Sequence, residues 1–320
     1  MMSAKPISIR VIMREKQTKN KIVRRPLDGI LLLDKPMDVT SNRILQHVRR
    51  LFQAEKAGHS GTLDPMATGL LPIAFGEATK FSSQLLDSHK SYEFICALGE
   101  KTSTGDKEGE VIETQAIPPL SESLLTDALS ALTGDILQTP PMVSALHHNG
   151  KRLYELAREG IEVPRAPRPV TILSLELIGF DDHSFHAKVT CSKGTYVRVL
   201  AEDIAAKLGT LGHLTMLRRT AIYPFMTPTM VTLEELEAAD SLETLDRLLL
   251  PIDSALIDLP KWEFTEEESA RVLHGQRIRV ETELTEPLYR LYDHNQQFLG
   301  VGAPNTPFSI GAKRIIQRRE

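Results

Sequence analysis

Asp64 is the residue best placed in this sequence to do chemistry. It stands in Gly58-His59-Ser60-Gly61-Thr62-Leu63-Asp64-Pro65-Met66-Ala67-Thr68, followed by Gly69-Leu70-Leu71-Pro72. One carboxylate thus lies in a loop of glycines, hydroxyls and prolines. Pro65 fixes its own φ and pushes Asp64 out of the α region. Gly58, Gly61 and Gly69 permit turns and the close approach of a large ligand. An acid held at such a turn is either a helix cap or a catalytic group. Taken alone, the cap is the simpler reading, because Asp is common in turns and caps. The rest of the chain reverses that preference.

The elements that must hold this loop can be read on either side of it. Gly29 to Lys35 is an apolar run stopped by Pro36, as in a buried strand. Ser41 is expected to cap a helix with the apolar stripe Ile44, Leu45, Val48, Leu51 and Phe52. Gly69 to Phe75 reads as a central strand, Ala78 to Lys90 as a helix. Tyr92, Phe94, Cys96 and Leu98 alternate as one face of a strand. Thr102 to Glu110 is a polar turn region. Leu124 to Leu132 forms an amphipathic helix closed by Gly134. Residues 139–169 carry prolines, a basic His-containing stretch and a short helix, and read as an inserted surface arm. Strands are expected at 170–180 and 184–191, and a helix at 196–208 opened by Gly194-Thr195. Near Pro251 to Pro260 the composition shifts. Beyond it, one helix at 265–273 and several short strands suit a small β-barrel-like module.

With 320 residues, the chain suits one large domain plus a small one. Hydrophobic content of 41% and charged content of 25% are those of an ordinary soluble protein. No apolar run reaches the roughly 18–20 residues that span a bilayer, and Met1 to Arg25 lacks the features of a secretory signal. A cytoplasmic location is expected by default. The two cysteines, Cys96 and Cys191, sit in no CxxC or Cys/His cluster, which disfavours zinc and points to buried free thiols. Net charge is −4, which argues against a general nucleic-acid binder. The charge is uneven, however. Residues 1–25 hold eight Lys/Arg against one acid, Glu15. Such an arm is more often solvated and disordered than a specific binder, though it can add phosphate affinity.

Four segments together carry a resemblance: GHSGTLDPMATGLLP at 58–72, KSYEFICALG at 90–99, CSKGTYVRVLAEDI at 191–204 and LRRT at 217–220. With LDKPMDVTSN at 33–42, GEATKF at 76–81 and PPMVSALHHNGKRLYELAREG at 140–160, they resemble the bacterial tRNA pseudouridine synthase B (TruB-type) family. The likeness runs from about Gly29 to the C-terminus. It implies an α+β fold: a mixed, largely antiparallel sheet in the catalytic domain, and a C-terminal β-barrel-like module of PUA type that binds RNA. The expected division is a basic arm at 1–25, a catalytic domain at 26–250 with an RNA-clasping insertion at about 139–169, and the PUA-like domain at 251–320.

The resemblance also implies roles. Asp64 matches the catalytic aspartate that attacks the target uridine, Tyr92 the tyrosine that stacks on its base, and Arg198 the arginine that pairs with the aspartate. Tyr196 matches a second active-site aromatic and Leu217 an apolar residue beneath the base. His59 matches the histidine that helps flip the nucleotide out. Lys35 and Lys80 fall at family-typical basic positions, and Lys151 and Arg152 lie in the RNA-clasping stretch. The implied substrate is the T-arm stem-loop of tRNA, with the uridine at position 55 in tRNA numbering. No metal or organic cofactor, no membrane and no obligatory protein partner is implied, and a monomer is expected.

The chemistry fits those assignments. A loop uridine leaves its stack at a cost of a few kcal/mol, and an aromatic such as Tyr92 recovers roughly 1–3 kcal/mol by stacking. The nucleophile must be ionised in a pocket that disfavours charge, and Arg198 supplies the opposite charge, preferably bidentate. Attack at C6 of uracil and at C1′ of ribose both remain open, as do a Tyr or an aspartate as the base that takes the C5 proton. Each residue also has a plainer reading: Tyr92 as strand core, Arg198 as a surface charge, His59 as a loop hydrogen-bonder, the 147–168 stretch as merely solvated. Adjacent His147 and His148 point apart, against a metal pair. Three rival functions stand beside the isomerase. An RNA-binding and refolding module would use the same arm and barrel. A guide-dependent synthase would want long charged tails. A carboxylate glycosidase would want two paired acids. Two departures from the family pattern are visible. Asp38 replaces the usual glycine, so the local turn is expected to differ, and His147 stands where lysine is common.

Overall fold

The apolar runs become strands and the amphipathic stripes become helices in a computed structural model that describes residues 24–317. The first half of the chain runs β1 (Gly29–Lys35), α1 (Ser41–Leu51), β2 (Ala57–His59), β3 (Thr68–Phe75), α2 (Ser82–Asp87), β4 (Lys90–Leu98), β5 (Glu100–Thr102), β6 (Val111–Thr114), α3 (Glu122–Ser130) and β7 (Gly134–Gln138). It continues through the hairpin β8 (His147–His148) and β9 (Lys151–Arg152), α4 (Leu153–Arg158), the long pair β10 (Arg168–Phe180) and β11 (Ser184–Cys191), α5 (Val197–Lys207) and β12 (Gly212–Ile222). Two short helices, α6 (Leu233–Ala238) and α7 (Leu242–Asp246), lead to β13 (Lys261–Glu263), α8 (Glu266–Leu273), β14 (Ile278–Arg279), β15 (Tyr289–Tyr292), β16 (Phe298–Thr306) and β17 (Ser309–Ile315).

The main sheet has eight strands in the order β1-β3-β12-β4-β11-β10-β7, with β2 beside β3. Its neighbours are antiparallel except β12 on β3, which is parallel at Arg218↔Thr68 and Arg219↔Gly69. The fold class is therefore α+β with a mixed, largely antiparallel sheet. Gly69 is what allows β12 in so closely. Its φ is +95°, and a Cβ there would stand 2.2 Å from the Arg219 carbonyl oxygen. One core packs α3 and α5 onto the centre of the sheet through Phe94, Phe185, Leu200 and Leu214. Another packs α1 onto β1 and β3 through Leu31, Val48, Phe52 and Phe75. The second sheet, β13-β15-β16-β17-β14, has its own core around Phe264, Val272, Leu291 and Ile310. It forms the half-barrel expected of a PUA-like module.

Three local expectations need correction. The cap of α1 is Thr40, whose extended backbone sets its hydroxyl on Arg43 N at 3.2 Å. Ser41 is instead buried and exchanges hydrogen bonds with Leu63, donating to its carbonyl at 2.9 Å and accepting its N–H at 2.8 Å. The helix expected over 78–90 is a 3-10 turn at Gly76–Phe81 followed by α2, and Lys90 opens β4. The Lys90 ammonium folds back onto the end of α2, donating to Leu86 O at 3.0 Å and Ser88 O at 2.7 Å. The inserted arm is shorter than 139–169, because Arg168 and Pro169 already pair with Gln138 and Leu137 in the sheet. The basic arm, apart from Arg24 and Arg25, lies outside the described residues.

Candidate active site

Two buried cations hold the signature loop by its own carbonyls. Lys35, fully buried at the end of β1, donates to Pro36 O at 2.9 Å, Pro65 O at 3.2 Å and Ala67 O at 2.6 Å. Arg219, buried in β12, donates through Nε to Leu70 O at 2.7 Å and through Nη2 to Gly61 O at 3.0 Å. The Ser41–Leu63 exchange adds a third anchor, and a turn with Ala67 N on Asp64 O at 3.1 Å a fourth. Asp38 N donates to Pro65 O at 2.9 Å. The turn at Asp38 keeps a left-handed backbone, φ +62°, so aspartate here adopts the conformation a glycine would supply. Asp64 is thereby fixed before any ligand arrives.

Asp64 meets Arg198 from the first turn of α5. Arg198 Nε lies 3.1 Å from Asp64 Oδ2, with the arginine side chain 5% exposed and the carboxylate 38% exposed. The expected bidentate pairing is not formed. Arg198 Nη1 donates to Thr104 O and Nη2 to Val143 O, both at 2.8 Å, leaving only Nε for the carboxylate. A second acid, Asp106, stands 3.7 Å from the same Nε. Its Oδ1 accepts from Thr104 Oγ1 at 2.6 Å and Glu108 N at 3.0 Å. Burial raises the Asp64 pKa above the usual carboxylate range, Arg198 pulls it down, and the like charge of Asp106 adds to the rise.

Asp64 and Arg198 face one cavity of about 280 Å³, lined also by Tyr92, Tyr196, Leu217 and Arg219 among others. Five of the residues read from the sequence are thus brought together. Tyr92, 8% exposed on β4, is paired in register with Arg219 on β12. Burial raises the Tyr92 pKa, while the Arg219 guanidinium at its hydroxyl works the other way. Tyr196 caps α5, and Gln138 fixes its backbone from both sides, accepting from Tyr196 N at 2.7 Å and donating to Tyr196 O at 3.1 Å.

The other five stand elsewhere. Lys35 lies behind the loop, and burial brings its pKa down to about 8 against the pull of Asp64. His59 is half-buried on β2, and its Nδ1 has no hydrogen-bond partner among the described residues. Burial, then the charge of Arg219, lowers the His59 pKa. Lys80 pairs with Glu77 at 2.5 Å and donates to Ile315 O at 3.0 Å, where the second sheet meets the first. Lys151 and Arg152 are exposed on the β8–β9 hairpin, with Lys151 3.4 Å from Glu159. Sequence reading missed Asp106, Arg219, Lys90 and Gln138. Arg219 lay within the quoted LRRT and Lys90 within KSYEF, so only their burial was hidden. Asp106 and Gln138 carried no local signal. Among the described residues no group of three or more His, Cys, Asp or Glu is placed to hold a metal.

Comparison with known proteins adds to this geometry. Residues 49–197 match the N-terminal domain of TruB family pseudouridylate synthase. Residues 198–257 match the tRNA pseudouridylate synthase B C-terminal domain, and 260–316 match Pseudouridine synthase II TruB, C-terminal. The chain is 48% identical over 298 residues to the tRNA pseudouridine synthase B of Methylobacillus flagellatus, covering 93% of this chain and 98% of that one. It is 47% identical over 300 residues to that of Pseudomonas fluorescens Pf-5, covering 93% and 98%. The solved structure of a Cbf5-Nop10-Gar1 complex shares the fold at TM-score 0.67 and 22% identity, over 90% of this chain and 84% of that one. An H/ACA RNP bound to a substrate RNA containing 2'-deoxyuridine gives 0.68 at 21% identity, over 91% and 86%.

Proposed function

This chain belongs to the TruB family of pseudouridylate synthases, and from that premise we propose that it isomerises the uridine at position 55, in the T-arm loop of tRNA, to pseudouridine, with Asp64 as nucleophile. The observation that carries the reading is the Asp64–Arg198 contact at 3.1 Å on the wall of a cavity that also presents Tyr92, Tyr196 and Leu217. A carboxylate in a cavity with an aromatic wall suits a reaction in which a base is cut from its sugar and must not escape. Arg198 keeps the carboxylate ionised where burial favours its neutral form. Its two backbone bonds hold the guanidinium in place, so no reorganisation is needed as the carboxylate attacks.

In the balanced reaction Asp64 bonds transiently to C6 of the uracil or C1′ of the ribose and is expelled again, while the N1–C1′ bond breaks, the base turns and C5 joins C1′. The C5 proton leaves and N1 gains one. Tyr92 as the phenolate, the form that the Arg219 guanidinium favours against burial, is the group we assign to receive the C5 proton. Leu217 supplies the apolar floor under the base, and Tyr196, clamped by Gln138, a second aromatic edge. His59 sits at the start of the loop and is assigned to the vacated stack of the flipped nucleotide. Lys80, Lys151 and Arg152 are assigned to the RNA backbone around the loop. Residues 26–250 are taken as the catalytic domain and 251–320 as the PUA-like RNA-binding domain.

The test is tritium release from T-arm stem-loop RNA labelled at uridine C5, with Asp64→Asn beside the wild type. Release by wild type alone, with RNA affinity retained in the variant, is the expected result. Binding without release by the wild type on stem-loop and full-length tRNA alike would replace the isomerase with an RNA-binding reading.

A further inference from the structure

A second polar cavity lies at the far end of α1 from the signature loop. It measures about 120 Å³ and is lined by Arg24, Gln46, Arg49, Arg50 and Gln53, with no acidic side chain among them. Its shape is built rather than incidental. The chain leaves α1 through Gln53 in a left-handed conformation, φ +52°, and Arg25 N bonds Gln53 O at 2.7 Å. Arg49 closes the floor, its Nε donating to Ala54 O at 3.2 Å and its Nη2 to Glu55 O. Arg25, the adjacent cation, is already committed to Asp246. Arg24 and Arg50 differ, since neither side chain has a hydrogen-bond or ion-pair partner among the described residues. Three guanidinium groups and two amides therefore line the cavity, those of Arg24 and Arg50 with donors unspent, and no acidic side chain is among the lining residues. Arg49 and Arg50 also occupy the last turn of α1, where cations are favoured, but that preference does not bring in Arg24 from another segment.

We infer that this cavity is a binding site for a phosphate group of the RNA backbone outside the flipped nucleotide, with Arg24 and Arg50 as its free donors. The inference rests on the proposed reading of the protein as an RNA-modifying enzyme. Guanidinium forks match phosphate oxygens, and amides such as Gln46 and Gln53 add neutral donors. The distance is suitable. α1 has 11 residues, about 16 Å or three turns at 1.5 Å per residue, so its last turn stands about that far from Ser41, whose hydroxyl bonds the Leu63 backbone beside Asp64. Sequence adds direction, because residues 1–23 immediately before Arg24 carry six Lys/Arg against one acid.

The measurement is the salt dependence of affinity for an unmodified tRNA transcript, comparing wild type with Arg24→Gln/Arg50→Gln. Arg49 is left intact because it staples the turn. Losing this one phosphate contact lowers the slope of log affinity against log salt by about 1. Arg24→Lys/Arg50→Lys, which keeps the charges, should restore most of that slope. The accompanying loss in tritium release falls on KM rather than kcat. An unchanged salt slope in the glutamine variant, with its melting temperature intact, overturns the site. Failure of the wild type to release tritium would instead strike the proposed reaction, and the slope comparison would still report on the cavity.

Discussion

Replacing Arg198 by Gln tests whether that residue acts by keeping Asp64 ionised. At the observed 3.1 Å, two unit charges attract by about 5 kcal/mol with an effective dielectric of about 20. The carboxylate is 38% exposed, and solvent screening removes more than half of that, leaving about 2 kcal/mol. Since about 1.4 kcal/mol is one decade, the ionised fraction on the acid side falls roughly 30-fold. The sign follows directly. With Asp64 acting as the anion, as proposed, the rate rises with pH through its pKa. Loss of the neighbouring cation raises that pKa further, and the rise moves to higher pH. The assay is single-turnover tritium release at saturating RNA across the pH range. Arg198→Gln should be slow at low pH and recover much of its rate as pH increases, with Arg198→Lys between it and the wild type. Two buried carbonyls, Thr104 O and Val143 O, lose their donor in either variant, so folding is checked by thermal melting. A uniform fall in rate with the acid limb unmoved would refute the argument.

Asp106→Asn should shift the same limb the opposite way. The amide keeps an oxygen for Thr104 and Glu108 N but removes the like charge that raises the Asp64 pKa, and a limb moved to higher pH would contradict this. Gly69→Ala should destabilise the protein by at least about 2 kcal/mol, since the residue needs φ +95° and its Cβ would sit 2.2 Å from Arg219 O. Differential scanning calorimetry should show a melting point lower by at least about 4 °C. Lys35→Met should cost about 3 kcal/mol in urea unfolding, because it orphans the carbonyls of Pro36, Pro65 and Ala67. The rate should fall with it, as two of those carbonyls, Pro65 and Ala67, lie in the turn that follows Asp64.

The residues that face the cavity were largely legible in the sequence, and those that hold them there largely were not. Asp64, Tyr92, Tyr196, Arg198 and Leu217 each lie in a segment that carries the resemblance to the TruB-type family, and they line one cavity. Period-2 alternation located β4, and Gly194-Thr195 placed the start of α5 to within two residues. What failed to show was tertiary. Ser41 looks like a cap from its neighbours, and only Leu63, 22 residues away, turns it inward. Lys90 reads as the solvated end of a helix until its ammonium is seen on the carbonyls of α2. Asp106 lies in a polar turn of ordinary composition, and only the fold sets it beside Arg198. The geometry of the Arg198 pair was likewise hidden, because the competing acceptors are backbone carbonyls at 104 and 143, which no side-chain pattern records.

The position of β12 in the sheet bears on how the protein is made. β3, which follows the Asp64 loop, and β4, which carries Tyr92, are both synthesised early, yet they are not neighbours; β12 lies between them. A nascent chain that has reached only residue 211 holds two strand groups, β1–β3 with β2 and β4–β11–β10–β7, with no ladder joining them. Leu217 and Arg219 arrive with the joining strand itself. The ribosome must therefore deliver about two-thirds of the chain before Asp64 and Tyr92 can be fixed on the same frame, and a chain stalled before that point would carry Asp64, Tyr92, Tyr196 and Arg198 but not the cavity they line.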